Sequence, residues 1–398
     1  MDLVIKRIGK KELQYVKEVL ESNFSSSKST GMMQRFEESF AKKFNVKFAI
    51  SFINGTSTMH SALEALGIGM RNEVIVPPLT MSSTSFAVMH ANAVPIFADI
   101  DPETFLISPE AIEKLITPKT KAIIPVSLYG LSPDMDAIMR IANKYNLFII
   151  EDNAQCFLGR YKGKIVGSLG NIASYSFQSS KHITAGEGGM ITTNDEQIAN
   201  NIRRHQSLGY AGVGATKGKI TKDDIQDPNY SRHVILGWNY RMPELCSAVL
   251  LGQLERLEKL VQRRIDVALR FNEIIRNCDW LRPQKVPKEC VHSYWTFVTL
   301  LDHKNISWYD FRKKFMEFGG DGIYAAWKLT YMEPMFLNLA FSGRENFLKD
   351  QIQKYNKGLC PNAESIQPKL LQFKTNYWDW SRAEKNFEAL EKVIKFFS

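Results

Sequence analysis

Apolar and polar positions alternate along this chain in two registers. Between about residues 47 and 195, short apolar runs recur: "KFAISF" (47–52), "EVIVP" (73–77), "AVPIFADI" (93–100), "KAIIPVSL" (121–128), "LFIIED" (147–152), "IASYSF" (172–177) and "GGMITT" (188–193). Several are almost continuously apolar, the pattern of strands buried on both faces. Segments of helical period lie between them. "STMHSALEALG" carries a cap at Thr56 or Ser57 and a glycine stop, and "DMDAIMRIANKYN" (134–146) is a second amphipathic helix. The alternation predicts an α/β fold, doubly wound around a largely parallel sheet.

Beyond residue 195 the pattern changes. "GYAGVGATKGKITKDDIQDPNYSRH" (209–233) is poor in apolar residues and reads as a long loop. A long helix follows, with Leu254, Leu257, Leu260 and Val261 on one stripe, leading to a smaller C-terminal domain. That domain is expected to contain a strand in "YWTFVTLL" (294–301), a helix near 308–318 and a closing helix "RAEKNFEALEKVIKFF".

Composition narrows the function. The chain has 398 residues, 44% hydrophobic and 23% charged, ordinary for a globular protein of two or more domains. Its N-terminus lacks the apolar core of a signal peptide, and no apolar run approaches the ~20 residues that span a bilayer. The expectation is a soluble, cytoplasmic protein with no membrane partner. The five cysteines are scattered without CxxC spacing, so reduced thiols are expected. No HExxH pattern occurs among the seven histidines, and no metal site is expected. The formal charge of +9 is spread in short stretches, "QRR" near 262 and "KGK" at 217–219. It reads as a solvated basic surface, or as attraction for an anionic substrate such as a phosphate or nucleotide ester, with no nucleic-acid partner expected.

Three stretches carry candidate chemistry. "GVGATKGK" fits neither GxxxxGK[ST] nor GxGxxG and is discounted. In "SFINGTSTMHSAL" (51–63) a strand runs into Gly55, Thr56 and Ser57 and then a helix, either an ordinary capped helix or an anion cup. In "LFIIEDNAQCFLG" (147–159) Glu151 and Asp152 end a buried strand, where α/β sheets bind ligands or where an acid caps the next turn. In "SFQSSKHITAGEGG" (176–189) Lys181 is either a surface lysine or a nucleophilic amine whose pKa is lowered against apolar strand ends. A lysine, a strand-end acid and a helix N-terminus together suit pyridoxal 5'-phosphate, which takes a lysine amine, a carboxylate facing its ring nitrogen and a phosphate cup.

These stretches, with "NEVIVPPLT", "AVPIFADIDPETF", "YKGKIVGSLG" and "GWNYRMPELCSAVLLGQLERL", resemble the sugar aminotransferases of the DegT/DnrJ/EryC1/StrS type, members of the fold-type I pyridoxal phosphate enzymes. The resemblance runs from about residue 10 to about 265, more weakly to the end. It implies a large cofactor-binding domain (1–255, including N-terminal helices) with a mostly parallel seven-stranded sheet, and a smaller α+β domain (256–398). It implies that Lys181 binds the cofactor covalently and moves the proton, and that Asp152 keeps the ring nitrogen protonated. Gln155 lies near the phenolic oxygen, while Thr56, Ser57 and Ser176 hold the phosphate. Asn239 reaches the phosphate of the other subunit in a homodimer with shared sites. Arg241 and Tyr324 are implied substrate residues. Met81 stands where the family usually carries an aromatic ring against the cofactor.

The reaction implied passes an amino group from glutamate or glutamine, through the pyridoxamine form, to a keto sugar. That sugar is commonly nucleotide-linked, and the product serves surface-polysaccharide (lipopolysaccharide) or related glycan synthesis. The segments "LLQFKTNYW" (370–378) and "GGDGIYAAWKLTYMEPMF" (319–336) depart from the family pattern, which leaves a keto sugar acid of the 8-amino-octulosonate type as an alternative acceptor. Relatives with histidine in place of the lysine are dehydratases; here the lysine is kept and His182 follows it, so transamination is expected. The intact Lys181, Asp152 and Gln155 speak against a non-enzymatic regulator.

Overall fold

The computed structural model describes residues 3–24, 31–344, 348 and 355–398. Its centre is a seven-stranded sheet. The strands are β1 (Phe48–Phe52), β2 (Glu73–Val76), β3 (Val94–Phe97), β4 (Thr120–Ile123), β5 (Phe148–Asp152), β8 (Ile172–Ser176) and β9 (Gly189–Thr193), with β6 (Arg160–Tyr161) and β7 (Lys164–Ile165) forming a short hairpin apart from it. The order is β1-β9-β8-β5-β4-β2-β3. Strand β9 is antiparallel to both neighbours, and the other pairings are parallel. All seven expected strands are present. Strands β2, β3, β8 and β9 are buried along almost their whole length, as strands covered on both faces are.

Three local expectations need correction. The helix after β1 spans Gly55–Ala65, and its cap is Asn54, whose side chain accepts from the Ser57 N–H. Thr56 and Ser57 therefore lie inside the first turn. The stripe Leu254, Leu257, Leu260 and Val261 is buried as expected, but it crosses two helices, Glu244–Leu254 and Leu257–Ile275. The break at Glu255 and Arg256 coincides with contacts to the N-terminal segment. Tyr15 donates to Glu255, and Arg256 pairs with Glu12 while donating to the Lys6 and Arg7 carbonyls at 2.8 and 3.0 Å. The long loop 209–233 also contains a turn of helix, Lys222–Gln226, held by a Thr221–Asp224 capping box.

The C-terminal part holds a four-stranded antiparallel sheet ordered β10-β12-β14-β13: β10 (Leu281–Pro283), β12 (Thr296–Leu301), β13 (Tyr324–Ala325) and β14 (Leu370–Lys374). Strand β11 (Cys290–Val291) instead pairs with β6. Helices Trp308–Glu317 and Trp380–Phe397 pack on the four-stranded sheet around Phe271, Phe311 and Phe373. Tyr331, Phe336 and Cys360 return to the core of the large sheet. A third cluster, Phe36, Phe40, Phe44, Phe157, Tyr175 and Phe177, joins the N-terminal helix Met32–Phe44 to the back of β8. Its rings meet edge-on or stacked at centroid distances such as 4.2 Å for Phe40–Phe44 and 5.1 Å for Phe40–Tyr175. This packing makes β8 a rigid base for the loop that follows it.

Candidate active site

At the carboxyl ends of the parallel strands lies a cavity of about 620 Å³. Thr56, Met81, Asp152, Gln155, Ser176 and Lys181 line it. Residues up to 125 positions apart in the sequence thus meet where strand ends and a helix start converge, the usual place for a ligand in such sheets.

Close backbone approach builds one wall. A Cβ at Gly55 would lie 3.0 Å from the Ser176 Cβ, so the helix start and the Ser176 side chain touch. A Cβ at Gly189 would lie 2.4 Å from the Asn54 carbonyl oxygen, so only glycine lets β9 pass beneath the cap. Ser57 sits behind this wall and does not line the cavity. Its N–H donates to Asn54 Oδ1 and its hydroxyl to the Asn54 carbonyl, both at 2.8 Å.

Asp152 ends β5 and is buried. Its carboxylate accepts from the Thr84 hydroxyl at 2.9 Å and the Ala154 N–H at 3.1 Å. Burial raises its pKa, against those two donors and the Lys181 charge. The neighbouring candidate Glu151 points elsewhere. It accepts from the Gly167, Leu169 and Gly170 N–H groups at 2.7, 2.8 and 2.6 Å, and so braces the 167–170 turn. Gln155 accepts from the Tyr129 N–H at 2.7 Å, which fixes its amide and directs the oxygen away from new partners.

Lys181 is 9% exposed. Burial brings its amine down to about 8; the negative charges of Asp152 and Glu187 oppose that shift and Arg264 reinforces it. An appreciable fraction is therefore neutral near physiological pH, as a nucleophile or base needs. The loop bearing it is held by its backbone. Arg7 donates to the Ser179 and Lys181 carbonyls at 2.7 and 2.9 Å, and Arg264 to the Ser180 and Lys181 carbonyls at 2.8 and 3.0 Å. His182 turns away from the cavity: its Nε2 meets the Ser293 carbonyl at 2.9 Å, and burial holds the imidazole well below its usual pKa.

The remaining candidates lie outside the cavity. Asn239 is exposed, in an isolated bridge to Ser207. Arg241 bridges to Phe52 at the end of β1, with Nη1 buried and lacking a hydrogen-bond partner among the described residues. Tyr324 is 59% exposed and lines a neighbouring cavity of about 320 Å³, which shares Ser180, Trp295 and Trp327 with the larger one.

Sequence reasoning passed over Thr84, Trp295, Trp327 and Arg264. For Arg264 a signal existed: it stands on the apolar stripe, three residues after Val261 and three before Val267, where a charge is costly unless it has work to do. For Trp295 there was none, because only tertiary packing brings it to Lys181; Trp327 lies within the 319–336 segment that departs from the family pattern.

A profile of the DegT/DnrJ/EryC1/StrS aminotransferase family matches residues 6–374. The chain belongs to this aminotransferase family. GDP-perosamine synthase from Escherichia coli O157:H7 is 40% identical over 285 residues, 72% of this chain and 73% of that protein. The solved aminotransferase from Psychrobacter cryohalolentis superposes with a TM-score of 0.85 at 28% identity, covering 98% of this chain and 97% of that one. NtdA from Bacillus subtilis, solved with bound cofactor PMP, gives 0.80 at 26% identity, covering 98% and 83%. The fold of this aminotransferase is the fold-type I architecture expected from the sequence. No helix among its described residues is long and apolar enough to cross a membrane. Among them, too, no cluster of three His, Cys, Asp or Glu side chains could hold a metal ion.

Proposed function

We propose that this aminotransferase uses pyridoxal 5'-phosphate to move an amino group from glutamate or glutamine to a nucleotide-linked keto sugar, making an amino sugar for a surface polysaccharide. The observation that carries the reading is one cavity that joins a buried lysine of depressed pKa, a buried strand-end carboxylate and a helix N-terminus touching a serine.

The residues fit the cofactor. Asp152 is a buried carboxylate whose hydrogen-bond partners are neutral, and it suits a ring nitrogen that brings a proton. Thr56, in the first turn of the Gly55–Ala65 helix, and Ser176, at the end of β8 against Gly55, suit a phosphate, where the helix dipole favours negative charge. The amide NH2 of Gln155 is left to donate to the phenolic oxygen, and the Met81 thioether is placed to pack on a ring face. When bound, the cofactor supplies an electron sink that stabilises charge left on the carbon losing a proton.

The chain supplies the rest. As a free base Lys181 would take the proton from the donor's carbon and give it up to the cofactor within that half-reaction; in the second half-reaction it would act in reverse and supply a proton to the acceptor's carbon. Asp152 holds the proton at the ring nitrogen. Strands β5 and β8 keep the two groups in fixed relation, so neither needs to reorganise. Retention of lysine at 181, with His182 turned to the Ser293 carbonyl, favours transamination over dehydration.

A cytoplasmic homodimer completes the proposal. Exposed Asn239 reaches the partner's phosphate cup, and Arg241, with its unpaired Nη1, serves the substrate. Tyr324 meets the acceptor from the adjoining cavity. The division at residues 255 and 256 separates the cofactor-binding part from the smaller one. The relationship to a GDP-perosamine synthase supports a nucleotide-linked acceptor over a free keto sugar acid. The test offers the pyridoxamine form of the enzyme a panel of both classes and follows loss of its absorbance. Turnover with nucleotide-linked keto sugars is expected; turnover with keto sugar acids alone overturns the acceptor assignment.

A further inference from the structure

The Lys181 amine rests against a ring, and no carboxylate comes within ion-pair distance of it among the described residues. Its Nζ lies 4.7 Å from the centroid of Trp295, and no ion pair or hydrogen bond from Nζ is present among the described residues. Trp295 is anchored at both ends. Its indole N–H donates to the Ser180 carbonyl at 3.0 Å, and its own carbonyl accepts from Arg264 Nη1 at 2.7 Å. The same arginine, through Nη2, grips the Ser180 and Lys181 carbonyls. One buried guanidinium therefore ties together the backbones of the lysine and the tryptophan, and the indole N–H closes the loop. Trp327 backs the ring at 6.0 Å between centroids and 27° between planes.

We propose that Trp295 is a positioning residue for Lys181: its indole face seats the lysine amine whenever that amine is not covalently engaged, and so keeps the proton carrier at the cavity wall. The inference rests on the aminotransfer reading above. Its physical basis is the attraction of a cation to the negative face of an indole, which is stronger in a site with little water. In the pyridoxamine form Asp152 is engaged by the ring nitrogen, so the charged groups left facing the amine are Glu187 from its own loop and Arg264 from the Leu257–Ile275 helix. His182 beside it is buried and held neutral. Trp295, on the residue preceding β12, is then the chief attractive partner besides Glu187.

The test changes the ring's electrostatics and not its shape. Tryptophan with one, two and three ring fluorines is inserted at position 295 alone by nonsense suppression. The pH dependence of acetic anhydride labelling at Lys181 is measured by peptide mass spectrometry on the pyridoxamine phosphate form. Fluorination weakens the negative face, so the labelling midpoint is expected to fall stepwise, by about 0.4–1.5 units over the series. The same series at Trp327 leaves it unchanged. Trp295→Phe, which keeps a weaker face, falls between the ends. The pH limb of the acceptor half-reaction, which starts from the same pyridoxamine form with the Lys181 amine free, moves with the labelling midpoint. A midpoint that ignores fluorination at 295 overturns the proposal. So does a midpoint that shifts while the reaction limb stays fixed, because the contact would then not serve proton transfer. Failure of the aminotransfer reading would show differently, as wild-type enzyme that labels normally at Lys181 but does not turn over with any donor.

Discussion

Thr84→Val isolates the carboxylate that the proposed chemistry depends on. The change removes a hydroxyl of nearly the same volume. That hydroxyl lies 2.9 Å from Asp152 Oδ2 and more distantly, at 3.3 Å, from the Met81 carbonyl, so its proton serves the carboxylate. A hydrogen bond to an ionised group contributes about 1.5–3 kcal/mol. Its loss falls on the ionised form of Asp152 alone, which raises the carboxyl pKa by about 1–2 units. Burial already holds that pKa above the ordinary carboxylate value, so the variant moves it further in the same direction. The ring nitrogen binds the ionised carboxylate. Affinity for pyridoxamine phosphate is therefore lost as pH falls through the Asp152 pKa, and in the variant this acid limb begins about 1–2 units higher. Well above both limbs the two proteins bind alike. The assay is the dissociation constant from protein fluorescence across the acid limb. A limb that stays put, moves to lower pH, or is replaced by a uniform loss at every pH refutes the role given to Asp152 and Thr84.

Other outcomes follow from the same geometry. Lys181→Ala should slow both half-reactions by at least roughly 10²–10⁴-fold, the usual contribution of a positioned acid–base group, as read from single-turnover absorbance. Gly189→Ala drives a Cβ against the Asn54 carbonyl at 2.4 Å; it should cost roughly 2 kcal/mol or more in denaturant unfolding, more than Gly163→Ala, whose Cβ meets open space and whose φ of +77° alone strains an alanine. Arg264→Met leaves the Ser180, Lys181 and Trp295 carbonyls without that donor and should lower stability by roughly 1–3 kcal/mol, with faster hydrogen exchange in the 178–182 loop. Mixing Lys181→Ala with Asn239→Ala subunits should restore about a quarter of wild-type activity if the site is shared across a two-fold axis; no recovery after verified exchange counts against the shared site.

The central sheet could be read from the sequence because its strands are buried on both faces, and an unbroken run such as "IASYSF" has few other homes. Asp152 and Thr56 were marked as candidates for a related reason: each stands at the end or start of such an element, where chemistry gathers in α/β sheets, whereas Lys181 lies in the loop after β8 and Ser176 was marked through the family resemblance alone. What escaped was set by packing across long separations. Trp295 lies 114 positions from Lys181, and no local pattern links them. The helix break at Arg256 depends on carbonyls of residues 6 and 7. The helix cap was misread because Asn54 reads equally as the end of β1's turn, and the difference lies in a backbone angle that the sequence does not print. "LLQFKTNYW" looked like an unusual substrate segment; most of it is β14, a buried strand of the smaller sheet, with Gln372 and Lys374 opening on the side cavity.

The most direct test of the account is borohydride reduction of the pyridoxal phosphate-loaded enzyme, followed by peptide mass spectrometry. The account predicts one fixed cofactor, at Lys181, in the peptide containing "SFQSSKHITAGEGG", and none at that position in Lys181→Ala. A cofactor fixed at another lysine, or none fixed in saturated wild-type protein, would contradict it.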